Sequence, residues 1–280
     1  MATFYIVSTP IGNLADMTYR AVEVLGSVDR ILAEDTRRTG ILCRHYGIET
    51  PLVSAHEHNE AKRAEQVVGW LDHGEELALV SDAGTPLVSD PGSRLVRAVV
   101  DAGHDVVPIP GASAVLAALV AAGLDPEPFT FFGFLPRKGR ERTERLAELA
   151  ALPHTGVVYE SPERLVTLLE DLAAASDPER RVVVARELTK LHEEHRRGCL
   201  ADVADHYREA GVKGEVVVLL AGAEGVSAEV DEEAAVALAT ALLDDGGRPS
   251  VVAREVARRL GVARNRAYEI VQGLKAGRGP

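Results

Sequence analysis

Short apolar runs alternate with amphipathic stretches along roughly the first 120 residues. TFYIVS reads as a compact strand and Thr18 to Leu25 as a short helix. RILA runs into the polar Glu34-Asp35-Thr36-Arg37, with a helix expected to follow as far as His45. His58 to His73 fits a longer helix, ELALVS (76–81) a strongly apolar strand, Arg94 to Asp101 a helix, HDVVPI a strand, and Ser113 to Ala122 an Ala-rich helix. Alternation of this kind predicts an α/β fold, a parallel sheet with helices packed on it. At Gly123-Leu124-Asp125-Pro126-Glu127-Pro128 the chain turns to Pro and Gly, which marks a boundary.

A second α/β unit is expected beyond that boundary: FTFFGF, a helix over Glu141–Leu149, TGVVYE, a helix over Pro162–Ala173, RRVVVARE, a further strand at KLHEEHRRG, a helix over Ala201–Arg208, and GEVVVLLA (214–221). In FTFFGF, alternation places Phe132 and Phe134 on one face and Phe129 and Phe131 on the other, with core packing their simplest role. After Ala221 a linker-like string precedes short helices split at Gly246-Gly247 and near Gly261. The predicted organisation is an N-terminal α/β domain with a parallel sheet (1–122), a second α/β domain (123–222), and a basic, helix-turn-helix-like helical tail (230–277).

Composition narrows the class. The 280 residues are 46% hydrophobic and 26% charged, enough for an ordinary core and against wholesale disorder. No apolar run approaches the ~18 residues of a membrane span. MATFYIVSTPIGN lacks the basic start of a signal peptide. Two cysteines, Cys43 and Cys199, make neither a disulfide framework nor a four-cysteine zinc site. A soluble cytoplasmic protein without structural metal or membrane partner is expected. The net charge of −12 is uneven: from Gly246 to Pro280 eight basic residues meet two acidic ones, giving +6 there and −18 elsewhere. That asymmetry permits a nucleic-acid contact on an acidic body, although a basic helix face is often simply solvated.

The most informative segment is SDAGTPLVSDPG (81–92), between an apolar strand and a helix. It is about twice as long as an ordinary βα connection of 2–6 residues. It also lies at the carboxyl end of a strand, where open α/β sheets bind ligands. STPIGN (8–13) and PIPGASA (108–114) occupy equivalent places, so the three turns suggest one lined crevice. None matches GxGxxG or GxxxxGK[ST], which lowers the dinucleotide and nucleoside triphosphate readings. AEDTR (33–37) sets Glu34 and Asp35 beside Arg37 and Arg38, as helix caps or as catalytic acids. HEHNE (56–60) spaces His56 and His58 as a metal pair would, but with no evident third ligand, and the histidines of HEEH (192–195) lack the HExxH spacing. Arg137, Lys138, Arg140, Arg142 and Arg145 read as an exposed basic loop and helix start beside the phenylalanines, a combination that can steer and stack single-stranded RNA.

Taken together and in order, STPIGN, EDTR, HEHNE, SDAGTPLVSDPG, PGASA, GFLPRK, YESPERL and ARELTK resemble the ribosomal RNA small-subunit methyltransferase I family of the tetrapyrrole methylase superfamily. The resemblance runs from Phe4 to about Ala221, and the basic tail is similar in kind. It implies two α/β domains with S-adenosylmethionine in the cleft between them, usually in a homodimer. It also implies 2′-O-methylation of a cytidine ribose in the decoding region of 16S ribosomal RNA, with the assembled small subunit as partner. The cofactor positions it implies are Pro10, Ser81, Asp82, Thr85, Ser113, Ala114, Tyr159, Glu160 and Gly214. SDAGTP stands where tetrapyrrole-type members carry a GDP string, which favours RNA over a porphyrinoid. A sulfonium cofactor has no phosphate to cradle, so carbonyl-rich loops with an Asp suit it.

The ribose hydroxyl is a weak acid, so a base or a cation should assist its deprotonation. Ionisable groups at strand ends within these strings are Glu34, Asp35, Glu187 and Lys190. The expectation is that Glu187 and Lys190 form the reactive pair, a carboxylate that can accept the proton and a lysine that can act as base with a lowered pKa or stabilise the developing oxyanion, while Glu34 and Asp35 position the ribose or Arg37. Structural Arg186–Glu187 or Glu34–Arg37 pairs are the alternative. Phosphate contacts are expected from Arg137, Lys138, Arg140, Arg254, Arg258, Arg264 and Arg266. Two other functions stay open at this point, tetrapyrrole methylation on the same fold and a non-catalytic ribosome-assembly module. The first leaves the basic segments unexplained and the second leaves the three-turn crevice without a purpose.

Overall fold

The structure is a computed structural model that describes residues 2–56, 59–223, 232–244, 247–260 and 264–276, with Glu232, Glu233, Arg258, Arg264, Asn265, Lys275 and Ala276 described in backbone only. Its first half runs β1 (Thr3–Val7), α1 (Tyr19–Ser27), β2 (Arg30–Ala33), α2 (Thr36–Tyr46), β3 (Leu52–Ser54), α3 (Glu60–Asp72), β4 (Leu77–Val80), α4 (Ser93–Asp101), β5 (Asp105–Ile109) and α5 (Ala114–Ala122). The strands form an all-parallel sheet of order β3-β2-β4-β1-β5. Helices cover both faces, so its inner strands are apolar without interruption, and all four residues of β4 are buried. Alternate residues feed the two faces: Ile31, Ala78 and Val7 pack with Leu25 of α1, whereas Leu32, Leu77, Leu79 and Phe4 pack with Leu71 of α3 and Leu95 of α4.

The second half runs β6 (Phe129–Phe134), α6 (Arg140–Ala151), β7 (Thr155–Glu160), α7 (Leu165–Ala175), β8 (Arg181–Arg186), β9 (Glu194–Cys199), α8 (Leu200–Ala210) and β10 (Val216–Leu220). Its sheet, ordered β6-β7-β10-β8-β9, is mixed: β6 and β7 are parallel, while β10 runs antiparallel to both neighbours and β9 antiparallel to β8. Helix α5 packs on this second sheet, with Val115, Ala118, Leu119 and Ala122 against Val157, Val183, Val217 and Leu219. The expected boundary at 122/123 therefore cuts behind a helix whose packing belongs to the following sheet. Both sheets share one compact unit, residues 1–150 and 154–221.

The simple alternation expected of FTFFGF is broken. The register with β7 shifts between Phe131 and Phe134, and Gly133 takes a left-handed φ of 66°. Phe131 and Phe134 consequently both contact Tyr159, at ring-centroid distances of 4.9 and 5.4 Å. Nor are these phenylalanines chiefly core, since Phe129 is 38% and Phe134 56% exposed.

Residues 151–153 and 222–280 form the other compact unit. In it α9 (Glu232–Asp244), α10 (Pro249–Leu260) and α11 (Arg264–Ala276) build a small core from Ala235, Ala239, Val252, Val256, Ala267 and Val271. Of the breaks expected in the tail, Gly246 and Gly261 lie outside the described residues. Among the described residues no helix is long and apolar enough to cross a membrane.

Candidate active site

The three turns after β1, β4 and β5 form one hydrogen-bonded unit. Thr9 and Gly84 exchange backbone hydrogen bonds of 2.9 and 3.0 Å. The Ser8 hydroxyl donates to Thr85 Oγ1 (3.2 Å), and the Thr85 hydroxyl donates to the Ala112 carbonyl (3.2 Å). Gly111 makes this convergence possible, because a Cβ there would stand 2.9 Å from the Cβ of Ser8 and 3.3 Å from its carbonyl oxygen. The long loop 81–92 holds Leu87 and Ser89 at left-handed φ values of 71° and 65°. Such strain costs on the order of 1–3 kcal/mol per residue and persists where the surroundings over-determine it. Part of that restraint is Glu60, a buried carboxylate whose Oε1 accepts from the amides of Gly92 (3.1 Å) and Arg94 (2.8 Å) at the start of α4. The HEHNE segment thus anchors the loop's far end. Its His58 lies outside the described residues, and no three-residue metal-ligating cluster occurs among the described residues.

Beside the turns lies a cavity of about 380 Å³. Six of the nine expected cofactor positions line it: Thr85, Ser113, Ala114, Tyr159, Glu160 and Gly214. Asp90, Glu160 and Glu215 contribute acidic residues to the lining, and among the described residues no Lys, Arg or His joins them. Pro10, Ser81 and Asp82 instead line a smaller pocket of about 220 Å³, together with Arg38 and Lys190. Local bonding explains the displacement of Asp82. Its Oδ1 accepts from the Asp35 amide (3.0 Å) and its Oδ2 lies 3.5 Å from Arg38, which ties it toward α2. The two pockets share Ile11, Ala83 and Glu215.

Two acids here have raised proton affinity. Burial, reinforced by the charges of Glu34 and Asp82, pushes the Asp90 carboxyl up to about 6. Burial and the Asp82 charge also raise Glu34. Tyr159 is pushed up to about 12 by burial and then by Asp90, and its hydroxyl is hydrogen-bonded to the Val115 backbone at the start of α5. Asp90 escaped the sequence reading although it lies inside the quoted loop, because nothing in the string shows which of its two aspartates lines the larger cavity. The Glu160 carboxylate is committed elsewhere: it accepts from Ser161 N (2.8 Å) and Arg164 Nε (2.7 Å) and lies 4.0 Å from Arg142. It is a fixed part of the cavity wall.

The proposed proton acceptors need correction. Asp35 caps α2 by accepting from Arg37 N (2.8 Å) and forms a two-point ion pair with the Arg37 side chain (3.0 and 2.7 Å). These bonds hold its carboxyl far below the usual range and tie it to Arg37. Glu187 Oε1 accepts from Lys190 Nζ (2.8 Å) and from the Glu215 amide (3.0 Å), and the lysine bond above all lowers its pKa. Lys190 Nζ also bonds Glu215 Oε2 (3.0 Å). Burial pulls the Lys190 pKa down, but the two carboxylates outweigh it and the net shift is upward, opposite to expectation. Lys190 is therefore an ammonium, and Glu187 its holder.

Backbone strain marks this second segment too, with Glu187 at φ 53° and Thr189 at φ 66°. Gly214 (φ 90°) leaves the space that Glu187 fills, since a Cβ would lie 2.2 Å from Oε1. Gly214→Ala is expected to cost about 1–2 kcal/mol for the left-handed backbone. It should also push Glu187 off Lys190, lowering turnover more than the stability loss explains. Thermal denaturation and single-turnover rates on the same sample check this.

The basic segment after β6 is less basic than its sequence. Arg137, Lys138 and Arg140 are exposed, but Arg140 pairs with Glu144 (2.6 Å) and Arg145 with Glu148 (2.9 Å). Arg142 is not exposed at all: it is buried and donates to Asp171 (2.8 Å) and the Pro136 carbonyl. In the tail, Arg254 and Arg266 are exposed and Arg266 pairs with Glu269 (2.9 Å).

Comparison with known proteins places this geometry. Residues 3–204 match the family of Tetrapyrrole (Corrin/Porphyrin) Methylases. The chain is 47% identical over 233 residues to the ribosomal RNA small subunit methyltransferase I of Bacillus subtilis, covering 83% of this chain and 79% of that one. It is 49% identical over 223 residues to the protein of the same name from Synechocystis, covering 80% of each. Among solved structures, the methyltransferase CobJ aligns with a TM-score of 0.61 at 22% identity, over 80% of this chain and 95% of that one. A uroporphyrin-III C-methyltransferase from Thermus thermophilus, complexed with S-adenosylhomocysteine, aligns with a TM-score of 0.57 at 19% identity, over 79% and 97%. At those identities the structural likeness speaks for the fold alone.

Proposed function

The chain belongs to the ribosomal RNA small-subunit methyltransferase I family within the tetrapyrrole methylases, and from that premise we propose that it methylates the ribose 2′-oxygen of a cytidine in the decoding region of 16S ribosomal RNA. The substrate in this reading is the assembled small subunit, met in the cytoplasm. The enzyme is an S-adenosylmethionine-dependent methyltransferase. Its strongest support in the molecule is the lining of the larger cavity, which among the described residues has no basic side chain and where Glu160 and Glu215 are paired with Arg164 and Lys190, leaving Asp90 as the acid turned to the cavity. A carboxylate there suits a sulfonium cation better than a phosphate. Its volume lies within the ~300–1,000 Å³ of small-ligand sites, and Leu188, Val216 and Tyr159 give it an apolar wall. Asp90, Thr85, Ser113, Ala114, Tyr159 and Gly214 would hold the cofactor.

When bound, S-adenosylmethionine supplies an electrophilic methyl group whose C–S bond breaks as the O–C bond to the acceptor forms. What the chain adds is position and charge. Lys190 stands in the smaller pocket beside Glu215, which lines both pockets. Its ammonium stabilises the oxyanion that develops on the ribose oxygen. Glu215, whose side chain is 70% exposed, takes the hydroxyl proton and passes it to water. Glu187 and the Glu215 amide hold the pair in place.

Phosphate contacts from Arg137, Lys138, Arg140, Arg254, Arg258, Arg264 and Arg266 remain part of this reading, with the ion-paired Arg140 and Arg266 the weaker members. A homodimer also belongs to it. Helix α5 is apolar all round, which is usual for a buried helix, yet Leu116 and Val120 on its outer face are 53% and 80% exposed. The deciding experiment is transfer of labelled methyl from S-adenosylmethionine to small subunits lacking the modification, with the product nucleotide mapped. Label on the ribose of one cytidine is expected. No label on subunits together with label on a porphyrinoid overturns the reading.

A further inference from the structure

The smaller pocket differs from its neighbour in holding cations. Among the described residues the larger cavity is lined by acidic side chains without basic ones, whereas the pocket of about 220 Å³ sets Arg38 and Lys190 beside Asp82 and Glu215. That volume is below the ~300 Å³ at which drug-sized ligand sites begin, so the pocket admits a single sugar or base and not a helix. One wall is α2, whose sequence TRRTGILCRHY has three arginines, a histidine and no acid. Arg37, Arg38, Ile41, Arg44 and His45 are all exposed. Spacings of three and four residues put them on one continuous face. Ile41, 56% exposed, lies at both the pocket and that face. With Arg37 held by Asp35 and Arg38 beside Asp82, the cationic excess of this face rests on Arg44, on a chain of net charge −12; the face also carries an exposed apolar side chain and borders a pocket that opens beside the larger cavity.

We propose that α2 is the docking helix for a single-stranded RNA segment, and that one unstacked nucleotide enters the smaller pocket with Arg38 on its phosphate and Lys190 beside its ribose. The inference rests on the methyltransferase reading above and names where its acceptor binds. Single-stranded RNA is favoured over duplex, because a paired nucleotide would have to be unpaired and unstacked, at a free-energy cost, before it could enter so small a space. Arg38 is suited to a new partner: its contact to Asp82 is loose at 3.5 Å, and its side chain is 65% exposed. Arg37 is bound to Asp35 by two short bonds, so Arg44 is the better candidate for a flanking phosphate.

The test uses the full-length protein and purified small subunits lacking the modification. Arg38→Gln, Arg44→Gln and Ile41→Glu are compared with the unaltered chain for subunit affinity at several salt concentrations, single-turnover rate and S-adenosylmethionine affinity. Each arginine variant is expected to weaken subunit binding and to reduce the salt slope by about 0.7–0.9, the signature of one lost phosphate contact. Ile41→Glu, which places an anion where RNA would pass, should weaken binding at least tenfold, roughly the effect of 1.4 kcal/mol. Cofactor affinity should hold in all three. Unaltered subunit affinity and salt slope in Ile41→Glu and Arg44→Gln overturn the proposal, whatever Arg38→Gln does. Failure of the unaltered chain to methylate any small subunit would instead sink the underlying reading, so the two failures are distinct.

Discussion

Replacing Lys190 by methionine is expected to slow single-turnover methyl transfer by roughly 100- to 1,000-fold, the usual loss when one donor to a developing oxyanion is removed. Affinity for S-adenosylmethionine should stay within about twofold, because Lys190 lines the smaller pocket and not the larger cavity proposed for the cofactor. The pH profile separates a charge role from a base role. A lysine acting as base needs a lowered pKa, and its rate would climb through neutral pH. Here the shift is upward, since the bonds from Glu187 and Glu215 outweigh burial, so no inflection from Lys190 should occur below its ordinary value of 10.5. The same pairing sets a stability window. The raised lysine contributes below 10.5 and loses that contribution as pH climbs through its higher folded value, while the lowered Glu187 contributes above 4.5 and loses it as pH falls through its lower one. Lys190→Arg keeps the charge and should recover part of the rate. Unaltered chemistry in Lys190→Met would show that the oxyanion is stabilised elsewhere, with Arg38 the remaining cation in that pocket.

The first sheet was legible because every parallel strand is buried on both faces and followed by a helix, which writes an unmistakable alternation of apolar runs and amphipathic stretches. In the second half the strands were legible but their directions were not. VVVLL in β10 and VVV in β8 read alike whether neighbours run parallel or antiparallel, and only tertiary pairing sets β10 between β7 and β8. Helix α5 was read as covering the sheet before it and in fact packs on the one after it, since an all-apolar helix carries no stripe to say which way it faces. The three-turn crevice was visible in Gly and Pro spacing. The pKa of Lys190 was not, because Glu215 lies 25 residues along the chain and joins it only through the placement of β10 beside β8. Arg38 and Ile41 were hidden for a related reason. A basic amphipathic helix is common, and nothing in TRRTGILCRHY shows that it will wall a pocket shared with loop 81–92.

Affinity for S-adenosylmethionine is expected to rise as pH goes from about 5 to about 7, with Asp90 as the titrating group. Asp90 lines the larger cavity, and burial together with the charges of Glu34 and Asp82 pushes its carboxyl up to about 6, against a bond from Ser81 that favours the ionised form. In the empty fold this is a penalty on the charged form, so it is absent below the ordinary value of 3.8, grows as pH rises, and is complete above about 6. A bound cation reverses the sign locally. It favours the carboxylate, lowers the pKa of Asp90, and so must release a proton when it binds near pH 6. Calorimetric titration at pH 6 in two buffers of different ionisation enthalpy measures that proton directly. Asp90→Asn removes the titrating group, so the variant should bind with a flat pH profile and about tenfold more weakly at pH 7, the worth of one charge-assisted contact. Tyr159 adds an independent readout, because the Asp90 charge is one reason its hydroxyl is held up to about 12. In Asp90→Asn the phenol should titrate at lower pH. A pH-dependent affinity that persists in Asp90→Asn would assign the proton to Glu34, the other raised carboxyl of the cluster. A flat profile in the unaltered protein would mean that the cation sits away from loop 81–92 altogether.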